Sequence, residues 1–236
     1  MHFVAHEVKR FATAVAAACC LNALCANAAQ PLVNDNAAPV DAGACQVEAW
    51  MRFFHRGYDV WAVPACNRFA GVEIAAGGAR TFRPDGDQSS QFQLQAKTLL
   101  IADDASPWSL GASAGAQRDT AAPHGRAAFQ TFYAKALTSF IPSNDIEVDI
   151  NAGLANTYGV GTYALAGAAI QYALYDRLQA LGEIFRDEPG RAKYQAGVRY
   201  TIVPGRFEAY LSYGNRIGGR SRESSTIAGI RVQTAP

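Results

Sequence analysis

The sequence predicts an all-β fold, namely an antiparallel up-and-down transmembrane β-barrel over residues 45–236. Strand-length segments alternate apolar and polar side chains, as in Ile146-Glu147-Val148-Asp149-Ile150-Asn151. A period of two places these side chains on opposite faces of a strand, whereas a helix would scatter them around its circumference. The connections between segments are alternately short and long, which is typical of a barrel with tight turns at one end and open loops at the other.

The first 28 residues have the features of a secretory signal peptide. Lys9 and Arg10 form a short basic region, and residues 11–24 form an apolar run that is too short and too rich in alanine to span a bilayer. Small residues at Ala26 and Ala28 suit a signal peptidase, so we expect cleavage after Ala28, with Ala29 as an equally suitable site. Residues 29–44 are rich in Ala, Pro, Asn and Asp, and we expect them to form a flexible periplasmic leader.

The alternation continues along the rest of the chain. It is clearest at residues 91–100, 146–151, 194–202 and 207–214. Weaker alternation marks further strands at residues 72–82, 108–119, 129–140, 161–175, 178–187 and 225–234. These segments make ten strands.

The connections fall into two classes that alternate in phase. Tight, turn-like connections lie at residues 103–107, 142–145, 176–177 and 203–206. Longer polar connections lie at residues 83–89, 120–126, 156–160, 187–191 and 216–224. If the chain enters the barrel from the periplasm, every tight turn faces the periplasm and every long loop faces outward.

Two cysteines remain after the signal peptide, Cys45 and Cys66. Residues 45–67 fit an additional hairpin that turns at residues 54–57, and this register places the two cysteines opposite each other. We expect them to form a disulfide, because the chain is bound for an oxidising compartment. With this hairpin the barrel has twelve strands and without it ten, both even numbers, as closure with both termini in the periplasm requires.

Alternation alone does not distinguish a membrane barrel from a soluble lipocalin-like binding protein. Three features favour lipid on the apolar face. Only Lys97, Lys135 and Lys193 remain as lysines after the signal peptide. Alanines pad the apolar face, and aromatic residues collect near strand ends, as at membrane interfaces. The soluble periplasmic binder remains an alternative.

Two segments carry a family resemblance. The strand Tyr194 to Ile202 and the final Gly229-Ile230-Arg231-Val232 are similar to the "aromatic-x-Gly-x-Arg-Tyr" strands of small Gram-negative outer-membrane β-barrel proteins. The resemblance is one of architecture and carries over no catalytic residue. It implies an outer-membrane location, contact with membrane lipid and lipopolysaccharide, and insertion by the barrel assembly machinery. The chain ends Gln233-Thr234-Ala235-Pro236 rather than on the usual aromatic residue, so assembly has to use an internal or degenerate signal.

The sequence offers little for catalysis. The chain has 21 basic and 20 acidic residues, and removing Lys9, Arg10 and Glu7 with the signal peptide balances them, which gives no argument for nucleic acid as a partner. The two histidines beyond the signal peptide, His55 and His124, lie in predicted loops, and no metal-binding, nucleophile or phosphate-binding motif is present. We therefore expect neither a cofactor nor a metal. An outer-membrane lipid-modifying enzyme that uses His124 is the alternative.

Charged residues on the polar face are the candidate functional residues. The pattern predicts that they point into the lumen: Glu73, Lys97, Glu147, Asp149, Glu183, Arg199, Glu208 and Arg231. Such charges either pair with one another, which avoids the cost of burying them alone, or line a narrow aqueous path for small solutes. The sequence thus predicts a non-enzymatic barrel, either structural or a narrow porin-like channel.

Overall fold

The computed structural model describes residues 32–69, 71–86, 88–102, 106–122 and 128–234. The signal peptide, His124 and the last two residues lie outside these ranges. Within them, the chain forms twelve β-strands and one short 3-10 helix, Ser221–Glu223. The strands are β1 (Cys45–Phe54), β2 (Gly57–Phe69), β3 (Val72–Phe82), β4 (Gln88–Ala102), β5 (Trp108–Asp119), β6 (Thr131–Ser143), β7 (Ile146–Thr157), β8 (Gly161–Tyr175), β9 (Leu178–Arg186), β10 (Lys193–Val203), β11 (Phe207–Arg216) and β12 (Ser225–Gln233).

The strands form a closed antiparallel barrel in which each strand pairs with its neighbours in the sequence and β1 pairs with β12. The predicted fold class and the count of twelve strands are confirmed. Closure leaves no strand edge with unpaired backbone groups, which a barrel in a lipid bilayer requires.

The first hairpin is confirmed together with its disulfide. Cys45 lies directly opposite Cys66 between β1 and β2, with 3.9 Å between their Cα atoms, and the two are bonded. The bond therefore closes the base of the hairpin at the end where the chain enters the barrel.

One face of each strand is apolar and points out of the barrel. On β4, Leu94 is 44% exposed, whereas Lys97, three positions further on and on the other face, is 2% exposed. Val198 and Leu211 are exposed in the same way on β10 and β11. An exposed apolar surface around a closed sheet is the surface that a membrane barrel presents to lipid. A soluble binding barrel would bury that face instead.

Few residues lie between the paired strands β2 and β3, β4 and β5, β6 and β7, β8 and β9, and β10 and β11. In each of these pairs the register shifts near the turn, as at Leu99/Ile101 and Thr201/Val203. Bulges of this kind are common at the rims of barrels, where they bend the strand and end the pairing. Among the described residues, no helix is long and apolar enough to cross a membrane.

The predicted flexible periplasmic leader is not what the structure shows for residues 32–44. These residues are called the inner segment below. Residues 32–40 run inside the barrel, where Ala37 and Val40 are fully buried, and residues 41–43, which are exposed, lead to β1. The amino-acid composition of the inner segment, which predicts flexibility, reflects only its local conformational preference. The backbone polar groups of the inner segment find their partners on the barrel wall instead, at positions up to 150 residues away in the sequence.

Candidate functional site: the lumen and its inner segment

The inner segment enters the lumen next to the disulfide and is fixed first to β2 and β3. The Gly43 backbone N–H donates to the Asn67 carbonyl at 2.7 Å, and the Asn67 side chain donates to the Val40 carbonyl at 2.6 Å. The Val40 N–H donates to the Glu73 carboxylate at 2.7 Å. The base of the segment is therefore held by side chains that point inward from the first strands.

The middle of the inner segment is fixed by a buried lysine and an asparagine. Lys97 of β4 donates to the Asp35 carboxylate at 3.0 Å, and its Nζ lies 3.8 Å from Glu73. Asn151 of β7 accepts from the Asp35 N–H at 2.8 Å and donates to the Asp35 carbonyl at 2.7 Å. Asp35 thus gives Lys97 a closer negative partner than Glu73, which lies on the barrel strands.

The far end of the inner segment is clamped by one carboxylate. Glu183 of β9 accepts from the Val33 N–H at 2.9 and 3.0 Å, from the Asn34 N–H at 3.0 Å, and from the Asn34 side chain at 2.8 Å. Leu32 packs beyond this clamp against Ala169 and Leu181. Three donors on one buried carboxylate make this the most concentrated polar contact of the segment.

Two glycines give the inner segment room against the wall. A Cβ atom at Gly111 would lie 2.5 Å from the Ala37 carbonyl oxygen, and a Cβ atom at Gly167 would collide with the Asn34 side chain. Between them, Ser139 accepts from the Ala37 N–H at 2.9 Å and donates to Asp149 at 2.6 Å. The wall is thus shaped for close contact with the segment.

Hydrogen bonds between the inner segment and the barrel reach only part of the wall. Among the described residues, they end on β2, β3, β4, β6, β7 and β9. We call the interior faces of β2–β9 the docking wall. The interior faces of β10, β11, β12 and β1 form the opposite wall.

The opposite wall carries its own ion pairs. Glu208 of β11 lies 2.6 Å from Arg231 of β12 and 3.4 Å from Arg199 of β10. Glu48 of β1 is directly across the strand pair from Arg231, and one of its carboxylate oxygens is buried without a hydrogen-bond partner. Tyr210 lies over Gly229, and a Cβ atom added at Gly229 would be only 2.5 Å from the tyrosine ring.

The structure places the predicted charged residues in these two groups. Glu73, Lys97, Asp149 and Glu183 are buried on the docking wall, where Glu147 is half-buried two residues before Asp149. Asp149 accepts from Ser139 and from Gln171 at 3.1 Å. The other three, Arg199, Glu208 and Arg231, lie together on the opposite wall.

Sequence reasoning missed Glu48, Asp59 and Asp35. Glu48 and Arg52 follow the period of two on β1, so the alternation within the first hairpin contains the signal for Glu48. Asp59 is 1% exposed and pairs with Arg52 at 2.5 Å. No pattern points to Asp35, because it lies in a segment without regular structure.

A cavity of about 440 Å³ lies inside the barrel around the end of the inner segment. Its polar lining includes Gln93 and Gln117, which face each other across β4 and β5, and Lys135. Trp50 and Trp61 stack on its wall with ring centroids 5.2 Å apart. A second cavity of about 500 Å³ continues toward the outer loops and includes His55. Together they form an outer vestibule.

Charges at the outer rim are paired with one another. Lys193 lies 2.9 Å from both Asp187 and Glu188, and Arg216 lies 2.7 Å from Glu188. Partial burial acts to raise the pKa of Glu188, but Lys193 and Arg216 outweigh it and hold that pKa below its usual value. Within the described ranges, no group of histidine, cysteine and acidic side chains is arranged to hold a metal ion.

Three solved structures are similar to this chain in fold. The KdgM porin matches with a TM-score of 0.62 and 9% identity, over 80% of this chain and 98% of that chain. The NanC porin matches with a TM-score of 0.58 and 10% identity, over 81% and 100%. The outer-membrane protein Omp33 of Acinetobacter baumannii matches with a TM-score of 0.51 and 9% identity, over 80% and 97%.

The fold is that of the porin-type β-barrels, and the apolar outer face is the surface that such a barrel presents to lipid. The family described as "Uncharacterised conserved protein UCP029691" matches residues 14–233, and the chain belongs to this family. No curated protein matches the sequence.

Proposed function

We propose that the protein is a porin-like conduit for small hydrophilic solutes, whose main passage is closed by the inner segment and opens when that segment leaves the lumen. The observation that carries the proposal is the position of residues 32–40 inside the barrel, with Glu73, Lys97 and Glu183 bonded to them. The passage on the outer side of the segment is already a polar vestibule.

The contacts of the inner segment suit reversible seating. Its polar contacts are hydrogen bonds and, among the described residues, one ion pair, and its apolar contacts include Leu32 against Ala169 and Leu181. Each such hydrogen bond stabilises the seated state by about 0.5–1.5 kcal/mol, or about twice that where a charge takes part. Water can replace the same bonds on both partners once the segment moves out. A barrier of this kind closes the lumen without making closure permanent.

The proposal includes the absence of catalysis. The vestibule is lined mostly by glutamine, aromatic and paired charged side chains, and His55 lies at its rim without a nucleophile bonded to it among the described residues. His124, on which the lipid-modifying alternative depends, lies outside the described residues. We further propose that lipopolysaccharide surrounds the outer rim and that the barrel assembly machinery inserts the chain.

Deletion of residues 32–41 tests the proposal. The variant should fold, because all strand pairs remain, and heat-modifiable gel mobility checks this. Planar-bilayer conductance and the swelling of liposomes in solutions of small sugars should both rise severalfold over the full chain, since the deletion removes the part of the segment that reaches Glu183. A shortened outer connection between β3 and β4, lacking the exposed residues 84–86, which line neither cavity, is the matched control and should leave both measurements unchanged.

Two results would count against the proposal. A folded deletion variant that conducts no better than the full chain would show that the inner segment does not close the passage. Absence of solute uptake from both proteins would show that the barrel is structural.

A further inference from the structure

Buried polar atoms that lack a hydrogen-bond partner concentrate on the opposite wall. Within the described residues they belong there to Gln46, Glu48, Arg199, Glu208, Tyr210, Ser212, Arg231 and Gln233, and elsewhere only to Asn67, Ser113 and Gln171. Arg199 Nε and Glu208 Oε2 are 3.4 Å apart and attract each other without a hydrogen bond. Most buried polar groups of the docking wall therefore have partners, many of them on the inner segment, whereas those of the opposite wall more often lack one.

Strand register joins these side chains into a continuous series along the barrel. Gln46 pairs with Gln233 at the periplasmic end, and Glu48 pairs with Arg231, which in turn pairs with Glu208. Further outward, Arg199 pairs with Tyr210. Ser212 lies two residues beyond Tyr210 on the same inward face of β11. The series therefore extends from the periplasmic rim to the vestibule.

The cavity of about 440 Å³ lies mostly against the docking wall but also contacts the opposite wall. Its lining includes Gln46, Glu48 and Tyr210 as well as Asp35 of the inner segment. The cavity therefore passes beside the segment and reaches the first residues of β1. Buried polar atoms without protein partners are satisfied by water in native proteins, provided that the space is polar and large enough.

We infer that a narrow hydrated path runs along the opposite wall past the seated inner segment, passes water and small inorganic ions, and takes its ion preference from Glu48. The inference rests on the proposed function only in treating the lumen as the route across the membrane. It concerns the closed state, in which larger solutes are excluded.

Glu48 has this role because of how the neighbouring charges are paired. Glu208 is shared by Arg199 and Arg231, so the two arginines and one carboxylate together leave one positive charge. Glu48 stands across the β1–β12 pair from Arg231, where its ionised form balances that charge. Removing its charge leaves the path positive, and a positive path of low dielectric favours anions.

The test requires the inner segment to be fixed in place. A Cβ atom at Gly167 would lie 2.8 Å from Asn34 Cγ, so cysteines at the two positions bring their Cβ atoms close to the roughly 3.5–4.5 Å of a disulfide. The double variant Asn34→Cys/Gly167→Cys, once oxidised, holds the segment against β8. Glu48→Gln is then added to this background, and Asp149→Asn is the matched control, because Asp149 is a buried carboxylate on the docking wall that is bonded to Ser139 and Gln171.

Reversal potentials in planar bilayers under a potassium chloride gradient, at an alkaline pH that ionises Glu48, give the result. The oxidised protein should show a small steady conductance. Glu48→Gln should raise the chloride-to-potassium permeability ratio roughly threefold or more, as removal of one charge from a narrow path predicts, and Asp149→Asn should leave it unchanged. No conductance in the oxidised protein, or equal shifts in the two variants, would overturn the inference.

A second variant keeps the inference testable if the Glu48→Gln protein does not fold. Ser212→Cys changes one atom at a side chain whose hydroxyl has no hydrogen-bond partner. In the oxidised background its thiol is the single free one among the described positions, and a small charged thiol reagent should react with it and reduce the conductance. If the thiol does not react, the hydrated path is contradicted. The proposed opening of the main passage is unaffected by that result, because it depends on release of the inner segment.

Discussion

The two walls of the lumen contain similar side chains in different circumstances. Glu183 on the docking wall and Glu48 on the opposite wall are both buried carboxylates on inward strand positions. Glu183 accepts three hydrogen-bond donors from the inner segment, whereas one oxygen of Glu48 has none. The period of two decides only that both point inward. What each carboxylate does depends on whether a polypeptide or water faces it.

The largest effect should come from removing the clamp on the docking wall. Glu183→Ala leaves the Val33 and Asn34 donors without their acceptor, which destabilises the seated segment by about 2–4 kcal/mol. Since each 1.4 kcal/mol is a factor of ten, the released population should rise at least about thirtyfold. Ala37, fully buried when the segment is seated, serves as the reporter: the labelling rate of Ala37→Cys by a hydrophilic maleimide measures release.

Glu48→Ala is the control for that experiment. It removes a carboxylate of the opposite wall, to which no hydrogen bond of the inner segment is directed among the described residues, so the labelling rate at position 37 should stay the same. An equal acceleration by Glu183→Ala and Glu48→Ala would show that the two walls do not differ as described.

A smaller effect should separate two lumen glycines. Gly167→Ala places a methyl group against the Asn34 side chain, and overpacking of this kind costs about 1–3 kcal/mol, so labelling of Ala37→Cys should accelerate about tenfold. Gly229→Ala meets the Tyr210 ring and the Trp50 Cβ instead. It should lower barrel stability by a similar amount without changing the labelling rate. Acceleration by Gly229→Ala alone would reverse the assignment of the walls.

The barrel itself was predictable because its signals are local and repeated. Each strand shows its own alternation, and the phase of short and long connections fixes the up-and-down order. The disulfide followed from the register of one hairpin, with Cys45 opposite Cys66.

The contents of the lumen were not predictable in this way. Alternation predicts that Lys97 points inward, but its partner Asp35 lies 62 residues earlier in a segment with no period at all. Composition favours flexibility for that segment, and only the completed barrel supplies the acceptors and donors that order it. Glu48 is a different case, because the alternation of β1 places it among the polar residues of that strand.

The central claim is that seating of the inner segment closes the main passage, and a reversible cross-link tests it most directly. In the triple variant Asn34→Cys/Gly167→Cys/Glu183→Ala, liposome swelling in a small neutral sugar is measured oxidised, reduced, and oxidised again. Wild type under the same reductant controls for the Cys45–Cys66 bond. The account predicts rapid swelling only in the reduced state, lost again on reoxidation. Equal swelling in both redox states, with the cross-link verified by mass, would contradict it.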